Sequence, residues 1–150
     1  MVRLVRSGEG GGRSLTWVGR PGVTLLDLDE HTRYEQGSLR RFPRSGSGAV
    51  SWDQVPDDLI LFSADSETVN LEDALRRWSP DQRSLVFFWG NLAMPSVKMS
   101  HEVTWPLLPD ISDKVPEFWV YAIDDDILFE ESFDGTFTVS RIPGKATPPD

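Results

Sequence analysis

Histidine chemistry has only two possible positions in this sequence, because His31 and His101 are its only histidines. His101-Glu102 begins like the helical motif of zinc proteases, in which a second histidine follows four residues after the first. Position 105 is Trp105 instead, so the motif is incomplete. We interpret His101 as an ordinary strand-end or surface residue, with metal ligation as the alternative. The chain contains no cysteine, which excludes disulfides, thiolate metal sites and cysteine nucleophiles.

The motifs of serine hydrolases and of phosphate-binding loops are not complete either. The chain has no Gly-x-Ser-x-Gly nucleophile elbow. The segment GEGGGRS at residues 8–14 lacks the Gly-Lys-Ser/Thr ending of a P-loop, and no helical pattern follows it. We therefore predict a flexible connection between two strands at this position, with a phosphate cradle as the alternative.

Three consecutive aspartates, Asp124, Asp125 and Asp126, could ligate a hard cation through their carboxylate oxygens. Adjacent side chains project in different directions from a turn, however, and the run lacks the glycine and the distal glutamate of a calcium loop. We interpret the run as a solvated turn that contributes to an acidic surface, and a metal site remains the alternative.

Glu131 has a strand parity that places it on the same face as Phe129 and Phe133. An unpaired carboxylate would be costly on such an apolar face. Two interpretations remain open for this residue. It forms a structural ion pair with Arg141, or it is a catalytic or partner-binding carboxylate with a raised pKa.

Charge is distributed unevenly along the chain. Before residue 45, eight arginines face five carboxylates, and after residue 100, three basic residues face eleven acidic ones, within a net charge of −9. A field of this sign attracts basic partners and repels nucleic acid and anionic membranes. We therefore interpret the basic residues 40–44 as a solvated loop, with a nucleic-acid contact as the alternative. Without an apolar run long enough for a secretory signal or a bilayer span, we expect a cytoplasmic protein.

Size and composition predict one domain over residues 1–150, and the pattern of segments along it predicts an α+β fold that consists mainly of antiparallel sheet. A chain of 150 residues that is 39% hydrophobic can bury one substantial core. One short central helix is predicted over residues 71–78, where Asn70 is the cap, Ser79-Pro80 ends the helix and the apolar residues share one face. Apolar runs at 59–62 and 85–89 flank it as strands, in a pattern that fits one crossover unit. The second run is apolar throughout, which predicts a central strand covered on both faces.

A C-terminal meander is predicted from strands over residues 118–123, 127–133 and 136–142. Between the last two we predict a three-residue loop that pairs Phe133 with Phe137, because this register collects the apolar residues on one face. The tail from about residue 143 to 150 contains three prolines and is predicted to be flexible. Nearer the amino terminus we expect a strand at 23–28, an exposed strand or loop at 31–41, an extended segment at 97–105 and a loop at 106–109.

Trp52 and Trp105 lie beside polar or proline-rich segments, unlike the other four tryptophans, which we assign to the core. Aromatic residues dominate the energetic hot spots of protein interfaces. These two side chains are therefore the predicted exposed anchors for a partner.

The small size, the absence of cysteine, the α+β pattern and the carboxylate-rich segment DDDILFEESFDG resemble bacterial immunity proteins. These are cytoplasmic antidotes to contact-dependent or polymorphic toxins. The resemblance implies a protein that binds a cognate basic toxin, such as a nuclease, and that is a monomer when free, without enzymatic activity or cofactor. The residues that would bind the toxin are Asp124, Asp125, Asp126, Glu130 and Asp134, with Trp52 and Trp105.

Two other classes of function remain open on the sequence. A small enzyme could use a carboxylate acid/base pair in a pocket beside Trp105 and His101. A structural or assembly protein could present strand edges to copies of itself, and a monodisperse monomer would weaken that alternative.

Overall fold

Seven strands form one antiparallel sheet in this computed structural model, which describes residues 21–44, 50–80, 84–90, 95–114 and 117–144. The strand order is β1-β4-β3-β5-β6-β7-β2. The strands in chain order are β1 Val23–Leu25, β2 Ile60–Asp65, β3 Ser84–Trp89, β4 Val97–Ser100, β5 Phe118–Ala122, β6 Ile127–Glu131 and β7 Thr136–Arg141. The predicted strand pair around the glycine-rich segment 8–14, Trp17, and the tail from 145 onward lie outside the described residues.

The predicted α+β class and the C-terminal meander are confirmed, and so is the central position of β3. This strand lies between β4 and β5, and its residues from Leu85 to Trp89 are all buried. Leu85, Phe87 and Trp89 pack in one apolar cluster, whereas Val86 and Phe88 pack in another. The sheet therefore has a core on each face.

Helix α2, Leu71–Trp78, has the predicted bounds and cap. The side chain of Asn70 accepts a hydrogen bond from the backbone N–H of Asp73 at 3.2 Å, and the helix buries Leu71 and Leu75 against the sheet. The helix connects β2 at the sheet edge to β3 inside it. These strands run in the same direction but three strands lie between them, so the predicted crossover is a long one.

Two buried serines, Ser79 directly after helix α2 and Ser38 nearer the amino terminus, differ in their hydrogen bonding. Ser79, which is 1% exposed, has a hydroxyl with no partner in the described part of the chain. Ser38 is 0% exposed, and its hydroxyl donates to the carbonyl oxygen of Tyr34 at 2.7 Å.

We expect Ser79→Ala to raise the free energy of unfolding by about 1 kcal/mol, because it removes a buried polar group that gains no bond on folding. Ser38→Ala is the matched control and should lower the free energy of unfolding by a similar amount. Urea denaturation of both variants measures the difference. Changes of the same sign in the two variants would contradict the assignment of an unpaired hydroxyl at Ser79.

Helix α1, Leu28–Gln36, lies where we predicted the end of a strand and the first part of an exposed strand or loop, so the predictions for these residues are wrong. A capping box starts the helix: Asp27 accepts from the Glu30 backbone N–H at 2.8 Å, and Glu30 accepts from the Asp27 backbone N–H at 3.4 Å. This reciprocal pair is a strong start signal. It limits β1 to three residues and begins a helix that covers one face of the sheet.

Strand β4, Val97–Ser100, confirms the first part of the extended segment predicted at 97–105. Helix α3, His101–Lys114, replaces the rest of that segment and the predicted loop at 106–109. Pro106 and Pro109 lie inside it, although each interior proline costs about 3 kcal/mol in a helix. Leu107, Leu108 and Ile111 are 0–3% exposed and pack in the core cluster. Burial of these three side chains offsets the cost of the prolines.

The hairpin between β6 and β7 has a different register from the predicted one. Glu131, rather than Phe133, pairs with Phe137, and a four-residue loop at 132–135 replaces the predicted three-residue loop. Gly135 adopts φ 92° in this loop, and the Ser132 backbone N–H donates to the Thr136 carbonyl at 2.9 Å. Because the shift is two residues, the strands keep their predicted faces. Phe133 leaves the sheet, however, and is 77% exposed.

Candidate functional site

A cleft of about 410 Å³ lies between helix α1 and the ends of strands β3 and β5. Its apolar walls come from neighbouring strands, since Phe88 and Trp119 are paired in register across β3 and β5 and Trp89 follows Phe88. The Trp89 indole N–H donates to the Pro95 carbonyl at 2.8 Å, and Pro95 also lines the cleft. The result is a concave site with aromatic walls.

Among the described residues, three carboxylates and one arginine line the same cleft: Asp27, Glu35, Glu117 and Arg44. Glu117 immediately precedes β5, and its carbonyl accepts from the Gly90 backbone N–H at 2.9 Å. A Cβ atom at Gly90 would lie 2.5 Å from Glu117 Oε1, so this position of the carboxylate depends on glycine at 90. The charged groups of the cleft therefore have an excess of negative charge.

His31 connects helix α1 to the start of β4 within the cleft. Its Nδ1 lies 2.7 Å from Ser96 Oγ, and its Nε2 lies 3.6 Å from Glu35 Oε1. The same three residue types occur in hydrolases, where the serine hydroxyl must reach a substrate. Ser96 is only 5% exposed, and Glu35 already pairs with Arg40 Nε at 2.8 Å. We interpret the chain of contacts as a structural connection.

Glu130 is the most deeply buried carboxylate among those that the structure describes, since it is 3% exposed. Its Oε1 accepts from the indole N–H of Trp52 at 2.7 Å, and its Oε2 accepts from that of Trp119 at 2.8 Å. Burial raises the pKa of Glu130, the two indole hydrogen bonds act in the opposite direction, and the charges of Glu117 and Asp134 raise it further. The prediction that Glu130 forms part of an exposed acidic surface is therefore wrong.

The two predicted tryptophan anchors are not exposed. Trp52 is half-buried, donates to Glu130 and packs edge-on against Phe42 at 5.3 Å between ring centroids. Trp105 is also half-buried, and the guanidinium of Arg76 lies 4.4 Å from its ring centroid. Trp105 packs against the α2–α3 face of the sheet, opposite the face that carries the cleft, so the cleft is not the pocket predicted beside it.

The predicted acidic surface is divided between two ends of the sheet. The 124–126 turn precedes β6 and Asp134 follows it, so a strand about 17 Å long separates them. Asp57 and Asp58 precede β2 and lie at the same end as the 124–126 turn, together with Arg141. The predicted contiguous surface over Asp124, Asp125, Asp126, Glu130 and Asp134 is wrong.

At the other end, five exposed or half-exposed carboxylates form what we call the acidic rim: Asp65, Glu67, Glu117, Glu131 and Asp134. The Ser66 backbone N–H donates to the Gly135 carbonyl at 2.8 Å, which holds the end of β2 against the 132–135 loop. The rim crosses β5, β6, β7 and β2, or about 14 Å at the usual strand spacing. Glu117 belongs to both the rim and the cleft.

Glu131 and Asp134 have opposite pKa shifts within the rim. Partial burial raises the pKa of Glu131, whereas hydrogen bonds from Ser132 and Thr136 lower the pKa of Asp134. Arg141 pairs with Ile127 at the opposite end of β6. The predicted Glu131–Arg141 ion pair is therefore wrong, and a partner-binding role for Glu131 stays a prediction.

The basic segment 40–44 makes internal contacts where it is described. Arg40 pairs with Glu35, and Arg41 Nη1 donates to the Gly144 carbonyl at 2.8 Å.

Within the described ranges, no group of three histidine or carboxylate side chains could hold a metal ion. None of the helices described there has the length and apolar character that crossing a membrane requires.

Sequence reasoning missed the cleft, because its residues come from distant parts of the chain. His31 and Ser96, which both line it, are 65 residues apart. The Trp52–Glu130 pair, which lies outside the lining, likewise joins residues 78 apart. The one local signal was the capping box at Asp27, which could have placed helix α1.

No protein-family model matches the chain, and no curated protein matches it either.

Proposed function

We propose that this chain is an acidic binding protein that neutralises a cognate basic toxin, such as a nuclease, in the cytoplasm and without a catalytic step of its own. The acidic rim carries this proposal, because five carboxylates lie across four neighbouring strands at one end of the sheet. Opposite potentials on two partners accelerate their encounter and select against wrong partners. The net charge of −9 extends this attraction beyond the contact area.

Phe133 gives the rim an apolar centre. It lies in the 132–135 loop next to Asp134 and exposes 77% of its surface. Large apolar side chains in the middle of a polar patch are typical anchors of protein interfaces. Phe133 thus takes the role that the sequence suggested for Trp52 and Trp105.

The opposite end of the sheet is the weaker candidate, although it is also acidic. Arg141 is exposed there among the aspartates, and the Ile142 backbone N–H donates to the Asp126 carbonyl at 3.1 Å. It supplies a matched set of control positions.

The test takes as the partner a basic protein recovered by pull-down with the wild-type chain and identified by mass spectrometry. It compares two triple variants that remove the same charge. The rim variant is Asp65→Asn/Glu67→Gln/Asp134→Asn, and the control is Asp57→Asn/Asp58→Asn/Asp125→Asn. Asparagine keeps the acceptor oxygen with which Asp65 caps the Glu67 backbone N–H. We expect the rim variant to associate about 10-fold more slowly at low salt, and the control to change about 2-fold or less.

Stopped-flow association and growth protection on co-expression give the two readouts. Phe133→Ala should accelerate dissociation about 10-fold or more, at unchanged thermal stability, because the side chain is exposed. Equal effects of the two triple variants would show that only net charge matters and would contradict the rim. If the wild-type chain neither binds nor protects, the proposed function is wrong, and self-association in light scattering would then favour the assembly alternative.

A further inference from the structure

We propose that the cleft between α1 and the β3–β5 end is a binding site for a guanidinium group, occupied in the complex by an arginine side chain of the partner. The identity of that occupant rests on the proposed function. The capacity of the cleft to bind a guanidinium does not, since it follows from the cleft's own walls and charges.

The walls favour a flat, weakly hydrated cation. Phe88, Trp89 and Trp119 border the cleft on one side, and Pro95 and Leu26 add further apolar surface. A guanidinium is planar and stacks on aromatic faces, whereas an ammonium is compact and strongly hydrated. The cleft is therefore expected to select arginine over lysine.

Trp119 is a favourable wall for a cation for a second reason. Its indole N–H donates to the buried carboxylate of Glu130 at 2.8 Å. Hydrogen bonds in a low-dielectric interior polarise the groups that make them. Donation to a carboxylate shifts electron density towards the ring, which strengthens the attraction of its face for a positive charge.

Glu117 supplies the ionic partner at the mouth of the cleft. It lines the cleft beside Gly90, and its carboxylate lies where a side chain at position 90 would be. Glu35 is held by Arg40 at 2.8 Å, and Asp27 caps the Glu30 backbone N–H at 2.8 Å. Carboxylate and guanidinium form two parallel hydrogen bonds, and we assign the carboxylate of this pair to Glu117.

The test titrates the chain alone with N-acetyl-L-arginine methylamide, while nitrogen-15 NMR follows the indole N–H signals. The citrulline analogue is the neutral control of nearly the same shape, and the lysine analogue tests the choice of cation. We expect the arginine probe to shift the Trp119 and Trp89 signals with a dissociation constant on the order of 1 mM. The lysine probe should bind several-fold more weakly and the citrulline probe should leave the signals in place.

Glu117→Gln should weaken binding of the arginine probe about 5-fold, whereas Asp58→Asn, which removes the same charge at the other end of the sheet, should leave it unchanged. Both side chains are at the surface, and the amide spectrum of each variant shows whether it folds. Equal binding of arginine and citrulline, equal binding of arginine and lysine, or equal effects of the two substitutions would each overturn the proposal.

The outcome is separable from that of the proposed function. Failure of the arginine titration leaves the rim experiment unaffected, because the rim variant leaves Glu117 unchanged and is measured with the whole partner. Conversely, binding of the arginine probe by a chain that protects against no toxin would retain the site and reject the antidote function.

Discussion

Glu130→Ala is expected to lower the free energy of unfolding by about 2–4 kcal/mol at neutral pH, measured by urea denaturation. The substitution leaves two indole N–H groups without an acceptor, those of Trp52 and Trp119. A buried donor that loses its partner costs about 1–3 kcal/mol, and the space vacated by the side chain adds to this cost. For two donors the loss would be about 2–6 kcal/mol. Removal of a buried charge offsets part of it, so we expect the lower half of that range.

Glu131→Ala is the natural control, because Glu131 is the next residue on the same strand but faces the other side of the sheet and is half-buried. We expect it to change the free energy of unfolding by less than about 1 kcal/mol. Near-ultraviolet circular dichroism of the tryptophans checks that both variants are folded. A Glu130→Ala variant as stable as Glu131→Ala would show that the indole hydrogen bonds contribute little.

The stability of the wild-type protein is expected to fall as pH rises above 4.5, and Glu130→Gln should reduce this dependence. Burial raises the pKa of Glu130 above the value of 4.5 for an unperturbed glutamate. Between these two values the folded state therefore holds a proton that the unfolded state has released, and the free energy of unfolding decreases with rising pH. Well below pH 4.5, Glu130 is protonated in both the folded and the unfolded state. Above its raised pKa it is ionised in both states, and the folded state then bears the full cost of the buried charge.

Urea melts of wild type and Glu130→Gln between pH 4 and 8 give the measurement, and the quantity of interest is the difference between the two profiles. Groups that titrate in both proteins and do not interact with Glu130 cancel in this difference. Asp134 does interact with Glu130, but its own pKa is lowered from 3.8, below the pH range of the melts. Relative to wild type, the glutamine variant should gain stability with rising pH. Glu131→Gln serves as the control for the weaker contribution of a half-buried carboxylate. Parallel profiles for wild type and Glu130→Gln would rule out a raised pKa at this position.

The parts of the fold that the sequence predicted are those for which local signals and tertiary packing agree. Helix α2 has a side-chain cap, a periodic apolar face and a stop at Ser79-Pro80, and the structure retains all three. Strand β3 is apolar at five successive positions, which only a position covered on both faces can accommodate. For both α2 and β3, the capping, periodicity and burial patterns all indicate the same element.

The extended structure and loop predicted over residues 101–109, where α3 lies, and the predicted β6–β7 register were wrong for different physical reasons. In α3, the local preference of Pro106 and Pro109 opposes the packing of Leu107, Leu108 and Ile111, and packing dominates. In the hairpin, parity restricts the register only to steps of two residues. The hydrogen bonds inside the 132–135 loop select between the registers that parity allows, and the apolar pattern contains no information about these bonds.

The buried carboxylate was misidentified because strand parity was given too much weight. Parity separates inside from outside only when one face of a sheet is exposed, and here both faces have cores. Glu131 was therefore singled out, whereas its neighbour Glu130 is the carboxylate in the interior. Recognising α1 from its capping box would have indicated that the second face is covered.

Trp119 touches the cleft on one side and Glu130 on the other, and this shared position has a thermodynamic consequence. A cation seated against the indole stabilises the ionised carboxylate behind it, so occupancy must promote release of the Glu130 proton. By thermodynamic reciprocity, uptake of that proton must lower the affinity of the cleft for the cation by the same factor. Mild acid would then loosen a complex that neutral conditions keep closed.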